Sequence, residues 1–146
     1  MRTTMGGKTG QHLFVKSARA GALALAALML SGVAGGTRAE PPNLEGAWSG
    51  RGSVSFSSGS KEEARCRASY QRRTSSSYTL RAVCATPSVR AAQTATVRQV
   101  GSNRFEGSFH NSEFNVSGTI YIVVRGASQI VRLTSSAGWA HFRLSR

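Results

Sequence analysis

From Ala47 onward, apolar and polar residues alternate with a period of two in short runs separated by glycine and serine clusters, and no stretch repeats at helical spacing. The alternation predicts strands over Ala47 to Ser57, Ala64 to Arg72, Tyr78 to Thr86, Ala92 to Gly101, Arg104 to His110, Phe114 to Arg125, Gln129 to Thr134 and Trp139 to Ser145. The stretches joining most of them, such as Arg73 to Ser77 and Gly126 to Ser128, have hairpin lengths, so sequential strands should pair antiparallel. Phe105, Gly107 and Phe109 fall on one face of their strand. Phe114, Val116, Gly118, Ile120, Ile122 and Val124 do so on the next, and Ala140, Phe142 and Leu144 on the last. Gly107 and Gly118 stand where an inward side chain is due, as a strongly bent strand requires. The expected fold is all-β, a small eight-stranded antiparallel meander barrel that closes to remove both exposed edges. A two-sheet sandwich is the alternative.

The cysteines set a register. If Cys66 lies opposite Cys84, then Ala68 faces Ala82, Tyr70 faces Leu80 and Arg72 faces Tyr78, which gathers the apolar partners on the cysteine face. Arg65, Arg67, Arg73 and Arg81 collect on the other face. A slip of one residue would turn every side chain over, so burial of the cysteine face specifies this pairing. An oxidising compartment makes Cys66 and Cys84 a disulfide, worth about 3 kcal/mol in the chain-entropy picture. The spacing fits neither a redox Cys-x-x-Cys nor a zinc knuckle.

That compartment is suggested by the first 39 residues. A basic start (Arg2, Lys8, Lys16, Arg19) precedes an apolar run from Ala20 to Ala34, and Thr37-Arg38-Ala39 forms a small-x-small cleavage signal before Glu40. Residues 1–39 read as a cleaved signal peptide and 40–146 as a single barrel domain. The apolar run is short for a permanent span and no cysteine follows it for lipid attachment. Soluble export, periplasmic or secreted and with no transmembrane span in the mature form, is the expectation.

Charge narrows the partners. Five of the 19 basic residues precede Glu40, leaving 14 against all six acidic ones, a net charge of +8. Of the 14 only Lys61 is lysine, and aspartate is absent. Guanidinium groups suit carboxylates, phosphates and sulfates, whereas lack of aspartate removes many oxygen-ligand metal sites. No metal or cofactor is expected. The stripe Arg65, Arg67, Arg73, Arg81 is the candidate anion site, weighed against a solvated outer face that keeps a barrel soluble. Nucleic acid is disfavoured, because no aromatics interleave with these arginines.

Gly46-Ala47-Trp48 resembles the Gly-x-Trp signature of lipocalin-like and avidin-like barrels, which implies that Trp48 plugs a closed end and that a late basic residue, here Arg143, covers it. Leu44-Glu45-Gly46-Ala47-Trp48 and the cysteine pair also resemble small periplasmic metalloprotease inhibitors. That likeness implies an exposed N-terminal arm, Glu40, Pro41, Pro42 and Asn43, that enters a protease cleft. The chain is similar as well to a group of small exported bacterial proteins that implies no activity.

His110 and Glu113, near Ser108 and Ser112, form the one local cluster of base, acid and hydroxyl, in a hairpin where such residues are ordinary. His141 falls in opposite phase to Phe142, on the outer face. Asn115-Val116-Ser117 matches a glycosylation sequon inside a predicted strand and reads as chance. The sequence therefore favours a non-enzymatic binding module acting through its surface or its open end. Anionic envelope polymer or lipid head groups are the first expected partner, and a protease is the alternative.

Overall fold

The computed structural model describes residues 42–146, which belong to one compact unit, Arg38–Arg146. The leader, Glu40 and Pro41 lie outside the described residues. The strands are β1 (Gly46–Phe56), β2 (Lys61–Arg72), β3 (Ser77–Ala85), β4 (Arg90–Gly101), β5 (Arg104–Asn111), β6 (Val116–Arg125), β7 (Ser128–Ser135) and β8 (Gly138–Ser145). Each pairs antiparallel with the next, and β1 pairs with β8 to close the barrel.

The alternation works as the sequence implies. Cys66 stands opposite Cys84, bonded to it, with Ala68 opposite Ala82 and Tyr70 opposite Leu80. Burial follows the same parity on the later strands, where Phe105, Phe109, Ile120, Ile122, Val124, Val131, Leu133, Phe142 and Leu144 point inward. Outward positions favour β-branched or hydroxyl residues. Thr79, Thr96, Ser108, Thr119 and Thr134 are cross-strand neighbours in one continuous row, a pairing that supports strands without apolar exposure.

Glycines let the wall bend. A Cβ at Gly107 would run into the Thr96 carbonyl oxygen, and one at Gly118 into that of Thr134. On β1, Gly50 and Gly52 do the same against the β8 carbonyls of Arg143 and His141, two close approaches that the sequence reading passed over. The expected start of β6 moves. Phe114 and Asn115 belong to the turn before β6 rather than to the strand: Asn111 Oδ1 accepts a bond from the Phe114 N–H at 3.0 Å, and Asn115 takes a φ of 50°. The sequon asparagine is therefore an exposed turn residue.

One end of the barrel is plugged. Trp48 is 2% exposed, and its indole N–H donates to the Leu44 carbonyl at 2.7 Å. Tyr78 and Phe105 meet edge to face, with ring centroids 5.7 Å apart. Tyr70 donates its hydroxyl to Gln129 Oε1 at 3.0 Å, and burial pushes its pKa above the ordinary tyrosine value. The N-terminal segment folds across this end. Leu44 is fully buried, Pro42 and Asn43 are half-buried, and Asn43 Oδ1 accepts from Arg72 Nη2 at 2.9 Å, so the arm is not exposed there as expected. Arg146, not Arg143, covers the tryptophan: its guanidinium lies 4.6 Å from the ring centroid and donates to the Glu45 carbonyl at 2.9 Å. Arg143 is on the outer wall. Its inward neighbours on β8 are Phe142 and Leu144, so the strand's parity turns it away from the interior.

Candidate functional site: an apolar mouth and a basic wall

The opposite end is open. Its inward positions are filled by small or slender residues, Val54, Cys84, Ala91, Val116, Gly138 and Ala140, and the space they leave is a cavity of about 390 Å³. Phe56, Phe109, Phe114, Trp139 and Phe142 add aromatic surface to it. Trp139 and Phe114 are half exposed at the rim. The polar groups at the mouth include Gln93, Asn111, Ser135, Thr86 and Ser88, and no lining residue carries a charge. An ion entering such a space would lose its hydration without a countercharge, so the cavity suits uncharged, largely apolar groups. The inward alanines, glycines and small polar residues that create it were legible, but their clustering at one end depends on strand stagger.

The outer wall is different. Arg65, Arg67 and Arg81 are exposed on one face of β2 and β3, with Arg81 opposite Ser69 and diagonal to Arg67, as the cysteine register requires. Arg73 follows β2 in the turn and shares an outer hollow with Arg81. Closure of the barrel adds residues that the sequence reading did not group with them. Arg51 lies directly opposite Arg65 on one side and opposite Arg143 on the other. Arg51, Arg65, Arg67 and Arg90 border a shallow hollow of about 610 Å³. Among the described residues the ion pair within 4 Å is Arg72 with Glu45, so none of these wall arginines meets a carboxylate.

The base, acid and hydroxyl cluster resolves into a simpler arrangement. His110 and Glu113 are exposed, and the imidazole Nδ1 pairs with Ser117 Oγ across β5 and β6 at 2.8 Å. Among the described residues no hydrogen bond joins Glu113 to His110. His141 is half-buried on the outer face between Arg132 and Ser53. No cluster of three or more metal-ligating side chains occurs among the described residues.

Fold and cavity together define a closed, eight-stranded antiparallel barrel with one plugged and one open end. Solved structures share the barrel fold. The redesigned β-barrel mFAP1, bound to DFHBI, matches with a TM-score of 0.60 and 14% identity over 70% of this chain and 94% of that one. The related mFAP0, also bound to DFHBI, gives 0.59 and 14% over 70% and 98%. A de novo designed fluorescence-activating β-barrel gives 0.55 and 18% over 70% and 92%. At such identities the likeness is one of fold. No protein-family description matches the chain, and no curated protein matches it in sequence.

Proposed function

We propose that this protein is a non-enzymatic binding module, working outside the cytoplasm, whose open end takes a small apolar molecule. The observation that carries the reading is the uncharged mouth cavity, which has the size and mainly apolar lining of a small-molecule site. Solved barrels of this fold hold the fluorophore DFHBI, which supports a ligand-binding use of the architecture. The Cys66–Cys84 disulfide is compatible with an oxidising, periplasmic or extracellular location.

The test uses a neutral naphthylamine dye whose emission rises in apolar surroundings. Saturable one-to-one binding is expected, weakened at least about tenfold by Ala140→Phe, which fills the mouth from β8. Emission that rises without saturating, or that ignores Ala140→Phe in a variant of unchanged melting temperature, would remove the reading.

The uncharged mouth leaves an anionic envelope component, the expected first partner, to the arginine wall. A protease-directed arm would have to act through residues before Pro42, since Asn43 is tied to Arg72 and to the Glu45 N–H. Deletion of residues 40–43 that spared protease inhibition would dispose of it.

A further inference from the structure

We propose that the hollow bordered by Arg51, Arg65, Arg67 and Arg90 binds the carboxylated sugar units of an acidic polysaccharide. The inference does not depend on the mouth, whose lining residues are not those of the hollow and include none that is charged.

Three observations carry it. First, Arg143, Arg51 and Arg65 stand directly opposite one another on β8, β1 and β2, two successive like-charge pairs, and Glu63, the carboxylate that the register places diagonal to Arg51 on the same face of β2, forms no ion pair within 4 Å with any of them. Like charges opposed across strands destabilise a sheet, so this row is unfavourable in the free protein and is relieved by an external anion. Elsewhere on the wall the pattern is the reverse. Arg98 on β4 stands opposite Glu106 on β5.

Second, the arginines border a depression rather than standing alone on a convex wall. Gly50, Ala85 and half-exposed Val83 share the hollow with them, leaving room between the guanidinium groups and some apolar surface. A sugar ring presents that combination, an apolar C–H face and a carboxylate at its edge. Guanidinium forks bind carboxylates in bidentate fashion.

Third, the spacing fits a linear polymer. Neighbouring strands lie about 4.8 Å apart, close to the length of one sugar ring, so a chain crossing β2 and β1 can offer one charge each to Arg65 and Arg51 in the hollow and the next to Arg143 on β8 just outside it. A nucleic acid strand would want aromatic side chains for its bases, and the aromatic residues Trp139 and Phe114 are at the mouth instead. A bilayer would want apolar residues to insert, and the hollow offers only Val83 and alanine.

Titration calorimetry of the purified protein with polygalacturonate tests the assignment. Binding is expected to weaken by about tenfold or more between roughly 50 and 200 mM salt, as displaced counterions demand. Arg51→Gln and Arg65→Gln should each weaken it by at least about fivefold, while Arg98→Gln stays within about twofold. Arg51→Gln should also raise the melting temperature by relieving the row and leave dye binding at the mouth unchanged. The proposal is overturned by absent binding, by equal binding of the fully methyl-esterified polymer, or by an equal loss in Arg98→Gln. Tighter binding to a single-stranded oligonucleotide or to phosphatidylglycerol vesicles would also overturn it.

Discussion

The plugged end and the mouth are made by the same eight strands, yet they use their inward positions in opposite ways. At the plugged end these are Trp48, Tyr70, Tyr78 and Phe105, each at most 2% exposed, with Leu44 laid across them. At the mouth they are mostly alanine, valine, serine and glycine, and two aromatics, Phe114 and Trp139, turn partly to solvent. An eight-stranded barrel is just wide enough for its side chains to fill, so the change in residue size along each strand decides where the interior is solid and where it is hollow. Packing at one end supports access at the other.

The two tryptophans give the sharpest way to break this comparison. Trp48→Ala removes a buried indole, its hydrogen bond to Leu44 and the surface on which Arg146 rests, and should cost about 3–5 kcal/mol. That is a large fraction of the stability of a domain of this size. Trp139→Ala, at a position 50% exposed, should change stability by no more than about 0.5 kcal/mol. Its effect belongs on dye affinity. Urea denaturation of both variants measures the contrast, and similar losses would mean that the mouth is as much a structural core as the plug.

Next in size is the disulfide. Cys66 is buried, whereas Cys84 borders the mouth cavity, so the bond joins the packed part of the barrel to the open part. Replacing both cysteines with alanine opens a loop of 18 residues' separation and should lower stability by about 3 kcal/mol. Hydrogen exchange refines the prediction. Amides around Thr86 and Val89 at the mouth should lose more protection than those of Tyr70 and Tyr78, and uniform loss would deny that the ends differ in local stability.

Some of this contrast can be read in the chain and some cannot, for a physical reason. Inward and outward faces were legible because alternation is local, and the β2–β3 register followed because two cysteines that bond must lie side by side. Pairing between β1 and β8 joins residues at the two ends of the domain, and no local pattern reports it. The row Arg143, Arg51, Arg65 was therefore invisible, as was the fact that the last residue, Arg146, covers Trp48. Phe114 misled for a different reason. Its hydrophobicity suited a strand, but Asn111 and Asn115 supply turn chemistry that prevails at the rim.

The smallest expected effect tests how the rim is held. Glu62, near the start of β2, accepts bonds from Ser88 Oγ at 2.8 Å and the Ser88 N–H at 3.3 Å, fastening the turn between β3 and β4 beside the cavity. Hydrogen bonds from the side chains of Thr86 and Ser88 hold its pKa below the ordinary glutamate value of 4.5. A depressed carboxylate pKa means that this fastening is fully present above the ordinary value and fades as the pH falls through the lowered one. Because Glu62 is on the surface, the change should appear locally and not in the melting temperature. NMR should show the Glu62 carboxyl titrating below 4.5, with the Ser88 amide shifting in step and Glu62→Gln removing that response. A Ser88 amide indifferent to both would leave the turn held by its own bonds, the Thr86 N–H to the Val89 carbonyl at 2.8 Å and the Val89 N–H to Thr86 Oγ1 at 3.1 Å. The rim would then be a self-contained turn, and the open end would owe less to the barrel wall beneath it than the plugged end does.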